Sequence, residues 1–136
     1  EIAQCLVGSE MCIRDRIVPY IDNMPGLLPQ MTCVVARSGA TSLAEFTALG
    51  VPVILIPSPN VTHNHQMKNA VDMEKAGAAL VIAEDDLNPN NFVSSIDHIL
   101  LDTNYAKQMS EASKRLGVPD ASDQVISVME GLIKNK

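Results

Sequence analysis

The chain has 136 residues, enough for one domain of ordinary size and short for two. With 46% hydrophobic and 19% charged residues it can bury a real core, which excludes wholesale disorder. A formal net charge of -6, two Tyr, two Phe and no Trp argue against a nucleic-acid or anionic-lipid surface as its main business.

Residues 1–16 stand apart. Glu1 to Arg16 contain Cys5 and Cys12, follow neither a helical nor a strand period, and lack the apolar stretch of a signal peptide. The run Met11-Cys12-Ile13-Arg14-Asp15-Arg16 resembles the translation of a transposon-end sequencing adaptor. The segment is therefore expected to be a non-native leader, and fold reasoning starts at Ile17. Three cysteines make no disulfide framework, which points to a reducing compartment. No apolar run reaches the roughly 18–20 residues that span a bilayer.

From Ile17 onward, short apolar runs alternate with longer amphipathic ones. Ile17 to Ile21 reads as a brief strand closed by Asp22-Asn23 and Pro25-Gly26, and Leu27 to Gln30 as at most a short helix. Cys33-Val34-Val35-Ala36 is apolar throughout, as a strand covered on both faces is. The pattern predicts a helix over Ala40 to Leu49 stopped by Gly50, a buried strand over Val53 to Ile56, and a helix over His65 to Ala76 stopped by Gly77. Ala79 to Ile82 returns as a strand. Asn91 to Leu101, Tyr105 to Leu116 and Ala121 to Ile133 follow as helices. Strands alternating with helices imply an α/β fold, a Rossmann-like doubly wound parallel sheet over residues 17–136.

In such sheets ligands bind outside the carboxyl ends of the strands. Two loops lie there. In Arg37-Ser38-Gly39-Ala40-Thr41-Ser42, Gly39 permits close approach to the backbone, and small residues leave the first helical amides uncovered. Such donors at the positive end of a helix suit a phosphate or diphosphate. The loop is neither a nucleotide P-loop nor the three-glycine dinucleotide fingerprint. Ser42-Leu43-Ala44-Glu45 also fits a capping box that merely satisfies the helix end, and spacing alone does not choose between the two. The second loop, Pro57 to Gln66, gathers amides suited to sugar hydroxyls, although a polar turn before a capped helix has the same composition. His63 and His65 lack the further ligands that a metal site needs. Cys33 reads as a small core hydrophobe, the methionines follow no stripe, and His98 lies on a late helix. The apolar spacing of Val125-Ile126, Val128-Met129 and Leu132-Ile133 fits core or interdomain packing.

Taken together, Ile17 to Met24, Arg37 to Thr41, Glu45, Gly50-Val51-Pro52 and Asn64 to Ala70 closely resemble the C-terminal half of one enzyme family. These are the peptidoglycan N-acetylglucosaminyltransferases that convert lipid I to lipid II. The resemblance covers essentially all of Ile17 to Lys136, and it implies the nucleotide-sugar domain of a GT-B glycosyltransferase whose N-terminal acceptor domain is missing. It gives the backbone of Ile21, beside Tyr20, the uracil edge, and it gives Glu45 the ribose hydroxyls. The amides of Ala40, Thr41 and Ser42 would meet the GlcNAc and the diphosphate, and Arg37, Ser38 and Gly39 of the same loop would also count among the substrate-binding residues. Arg37 would lend charge to the phosphates or support the loop. His65, Gln66 and Asn69 would face the sugar. Some relatives carry paired glutamines where His65-Gln66 stands, so Gln66 has the firmer assignment.

The resemblance further implies inverting transfer of GlcNAc from UDP-GlcNAc to lipid I, with the general base on the missing domain and no catalytic residue in this chain. No cofactor is implied, and with no Asp-x-Asp motif no metal dependence is expected. Contact with lipid I, and peripheral attachment to the cytoplasmic face of the bacterial plasma membrane, would run through the missing domain; no nucleic-acid partner is implied. Two other readings stay open: the donor domain of another GT-B enzyme, such as a UDP-GlcNAc epimerase or a glycolipid synthase, and a non-catalytic nucleotide-sugar binding module.

Overall fold

The computed structural model describes residues 18–61 and 64–134. Strands β1 (Val34–Ala36), β2 (Val53–Leu55) and β3 (Leu80–Val81) form a parallel sheet in that order. Val34 sits opposite Val53 and Ala36 opposite Leu55, while Ile54 and Leu55 face Leu80 and Val81. Parallel neighbours need crossovers, which α2 (Ala40–Leu49) and α3 (His65–Lys75) supply. The short α1 (Met24–Leu27) runs into a 3-10 turn, Leu28–Gln30, ahead of β1. Beyond β3 come a 3-10 turn, Glu84–Asp86, and then α4 (Pro89–Leu101), α5 (Thr103–Leu116) and α6 (Ala121–Lys134).

Strand alternation divides the core into two layers. On one face Val53 and Leu55 meet Leu28, Phe46, Ala70, Met73 and Ala112. On the other, Ile54 and Ile82 meet Ile99 of α4 and Met109 of α5. All of β2 is fully buried, as an apolar central strand requires. Burial also pushes the Cys33 thiol up, consistent with a packing role. His98 stacks on Tyr105 with ring centroids 4.1 Å apart, joining α4 to α5.

Several expectations need correction. No strand forms over residues 18–21, and Ile17 lies outside the described residues, as does the proposed leader. Pro19 has no N–H to give a ladder. The β1 strand is not covered on both faces, because Val35 is 41% exposed at the sheet edge. Helix α4 starts at Pro89 rather than Asn91, since Asn88 caps it with a reciprocal bond to Asn91. Helix α5 starts at Thr103 rather than Tyr105, under an Asp102 cap that accepts from the Tyr105 amide. The glycine stops hold: Gly50 and Gly77 have φ of 69° and 71°.

Packing of α5 on α2 fixes the helix that carries the site. The buried Ser113 hydroxyl donates to Phe46 O at 3.4 Å. A Cβ on Gly117 would lie 2.6 Å from Thr47 O, so only glycine permits this approach. Helix α6 differs. Its residues 121–133 are all exposed, and Leu132 and Ile133 are 69% and 72% accessible. An uncovered apolar stripe of that kind promotes association. The chain is expected to self-associate as its concentration rises; sedimentation velocity giving a clean monomer at high concentration would refute this.

Candidate functional site

The site grows from the carboxyl ends of β1 and β2. Helix α2 starts immediately after Gly39, whose φ of -70° and ψ of 141° place it at the N-cap without any side-chain cap. The Leu43 amide makes the first ladder bond, 3.0 Å to Gly39 O. The amides of Ala40, Thr41 and Ser42 precede it and have no helical acceptor. A Cβ built on Gly39 meets nothing within 4 Å, so the tip opens onto free space. Ala40 and Thr41 are exposed. The capping-box alternative is thereby corrected: Ser42 lies inside the helix and not at its cap, because Gly39 is the last non-helical residue. Glu45 lies one turn beyond Thr41 on the same exposed face.

Beside this tip stands the first turn of α3. Its N-cap, Asn64, adopts a left-handed φ of 51° and also lacks a side-chain cap. His65 is exposed, whereas Gln66 and Asn69 are half-buried. The Ser38 hydroxyl donates to Gln66 O at 2.7 Å. The Asn69 amide donates to Ser38 O at 3.1 Å. The Ser58 N–H donates to Gln66 Oε1 at 2.9 Å. Gln66 and Asn69 thus lie next to the α2 tip, with Gln66 Oε1 and Asn69 Nδ2 each already bonded within the protein.

Two residues of the expected ligand loop have partners within the protein. Ser38 is fully buried, so its side chain does not reach a ligand; its hydroxyl is held by α3. The Arg37 guanidinium donates to Ile56 O at 3.1 Å and pairs with Glu84. It ties the ends of β1 and β2 to the turn after β3, which is the loop-supporting alternative. Tyr20 and Ile21 belong to the segment ahead of α1. They line a groove of about 560 Å³ with Val18, Leu27 and Met31, among others, and no residue from Arg37 to Asn69 borders it. Tyr20 is 76% exposed. Among the described residues no group of His, Cys, Asp and Glu could hold a metal ion, and His63 lies outside them. No helix among the described residues is long and apolar enough to cross a membrane.

Ser58 and Glu84 were missed by sequence reasoning. Ser58 acts through its backbone amide, which no side-chain pattern marks, although its place between Pro57 and Pro59 signals a stiff loop. Glu84 lies far along the chain from Arg37, and only the fold brings them together.

Comparison with known proteins points to one family. The family model described as "Glycosyltransferase family 28 C-terminal domain" matches residues 4–125. A Lactobacillus gasseri UDP-N-acetylglucosamine--N-acetylmuramyl-(pentapeptide) pyrophosphoryl-undecaprenol N-acetylglucosamine transferase is 89% identical over 136 residues, covering 100% of this chain. The same-named protein of Lacticaseibacillus casei is 51% identical over 121 residues, 89% of this chain. The chain spans only 37% and 33% of the length of these two relatives. Among solved structures, Acinetobacter baumannii MurG superposes with a TM-score of 0.77 at 21% identity, over 85% of this chain and 33% of that one. That likeness places the fold with GT-B glycosyltransferases. The match to the family model over most of the chain settles its membership: this protein belongs to the glycosyltransferase family 28 C-terminal domains.

Proposed function

We propose that residues 17–136 are the donor-binding domain of a lipid II-forming N-acetylglucosaminyltransferase, and that they hold UDP-GlcNAc. The observation that carries this reading is the uncapped α2 tip, with Gln66 and Asn69 fixed beside it by Ser38. Three free amides at a helix N-terminus suit a diphosphate. Glu45, one turn along the exposed face, suits ribose hydroxyls as a carboxylate acceptor. Gln66, Asn69 and His65 suit the sugar hydroxyls, and the groove at Tyr20 and Ile21 suits the uracil. The names of the Lactobacillus gasseri and Lacticaseibacillus casei relatives support the donor and the acceptor.

The chemistry is an inverting displacement. The acceptor hydroxyl attacks the anomeric carbon, the carbon–oxygen bond to the diphosphate breaks, and UDP leaves with the electron pair. Negative charge grows on the diphosphate as that bond lengthens, and the α2 amides meet it with preorganised donors. Each strengthened bond to a charged oxygen contributes about 1.5–3 kcal/mol. Because this reading gives Glu45 to the ribose and His65 to the sugar, it assigns proton removal from the acceptor to the part of the enzyme beyond this chain. Lipid I contact and attachment at the cytoplasmic face of the plasma membrane belong to that part as well. Residues 1–16 are read as a foreign leader from the run Met11 to Arg16 alone, while the family match from residue 4 and the Lactobacillus gasseri alignment over all 136 residues both extend into this segment. The genomic sequence upstream of Ile17 tests it: a native frame that encodes these sixteen residues would refute it.

Titration of the chain with UDP-GlcNAc, followed by amide NMR, tests the function. Shifts at Ala40, Thr41, Ser42 and Gln66 are expected, with weaker effects from UDP-glucose and none at the sugar side from GDP-mannose. Transfer from lipid I by the chain alone should be undetectable. Equal responses to all three nucleotides would overturn the proposed donor, and turnover by the chain alone would overturn the assignment of the base.

A further inference from the structure

We propose that Ser38 is a positioning residue that sets the register between the α2 tip and the first turn of α3. Those are the two faces that the proposed function gives to the diphosphate and the sugar, and the inference rests on that reading. Ser38 is fully buried between β1 and α2. Its hydroxyl donates to Gln66 O at 2.7 Å, and its own carbonyl accepts from Asn69 Nδ2 at 3.1 Å. Gln66 and Asn69 lie one turn apart on α3. Bonds from one residue to both therefore fix the separation and the rotation of α3 against the loop.

The hydroxyl bond is not needed to satisfy α3. In a helix the carbonyl of residue 66 already accepts from the amide of residue 70. An alanine at position 38 would bury no hydroxyl and would leave no side-chain donor to pair. A buried hydroxyl where a methyl group would pack marks a geometric role, since a hydrogen bond fixes distance and direction and dispersion contacts do not. Being closed to solvent, the hydroxyl does not touch a ligand. The Ser58 N–H takes the oxygen end of the Gln66 amide at 2.9 Å, so a shift of α3 also disturbs how that side chain is presented. The α2 tip does not depend on this bond. Its helix is anchored through buried Phe46 and Thr47 and through Ser113 of α5. Loss of the Ser38 hydroxyl is thus expected to harm the sugar side selectively.

The test is an NMR titration of wild type, Ser38→Ala and Ser38→Cys chains with UDP and with UDP-GlcNAc. For Ser38→Ala we expect UDP-GlcNAc affinity to fall about tenfold, as one lost hydrogen bond implies, with UDP affinity changing less than about twofold. Ser38→Cys retains a weak donor and should fall between. A residue that served stability alone would lower the melting temperature and leave the ratio of the two affinities unmoved. Equal losses for both ligands, or no loss, overturn the role of Ser38 and leave the donor-domain reading standing. Wild-type chain that binds neither ligand overturns that reading, and this inference with it. If Ser38→Ala does not fold, Ser38→Cys decides: a wild-type affinity ratio overturns the proposal, and a reduced preference for UDP-GlcNAc supports it.

Discussion

Replacing Gly39 with Asp is expected to abolish UDP binding while leaving the protein as stable as before or slightly more so. Gly39 is the N-cap of α2, with backbone angles that any residue adopts and open space where a Cβ would go. Aspartate is a better N-cap than glycine by a few tenths of a kcal/mol, and its charge complements the helix dipole. Its carboxylate would accept from the amides of Thr41 or Ser42 and occupy the donors assigned to the diphosphate. Repulsion between carboxylate and diphosphate adds to that loss. The loss of two charge-assisted bonds gives an affinity drop of at least about 100-fold. Calorimetric titration with UDP, paired with a thermal melt, separates the two effects. UDP affinity equal to wild type would mean that the α2 tip is not the anion site. A lower melting temperature with lost binding would leave simple damage as the cause, and Gly39→Ser then serves as the milder cap.

Gly117→Val should have the largest effect on stability. The Cβ would stand 2.6 Å from Thr47 O and 2.8 Å from Thr47 C, both backbone atoms of α2 that cannot turn aside. The chain after α5 must lift away from α2, and overpacking of this kind costs about 1–3 kcal/mol. In a domain of this size that corresponds to a fall in melting temperature on the order of 10 °C. Gly131 supplies the control. It lies on exposed α6, nothing stands within 4 Å of its Cβ position, and Gly131→Ala is expected not to lower the melting temperature. Equal melting temperatures for Gly117→Val and wild type would show that α5 does not brace α2. Because α2 carries the tip, the same variant should also weaken UDP binding.

Local chemistry determined much of this protein from sequence alone. Gly50 and Gly77 stop their helices because positive φ suits glycine, and the apolar run of β2 is buried because no polar atom interrupts it. The β–loop–α order placed Gly39 and Gln66 at the same end of a parallel sheet, and the family resemblance rested on those same residues. What is set by long-range contacts was not legible. The sequence allowed Ser42 either to cap α2 or to lie inside it, and only the helix start at Ala40 decided between them. Arg37 was equally suited to a phosphate or to a brace until Glu84 and Ile56 O were found beside it. Ser38 looked like a ligand contact, since nothing local reveals that its hydroxyl is enclosed and points at α3. Short-range propensity fixes where elements begin and end, because its energetics lie within a turn or two of chain. The partner of a side chain is fixed by which segments the core draws together, and that is decided only when the sheet and its helices pack.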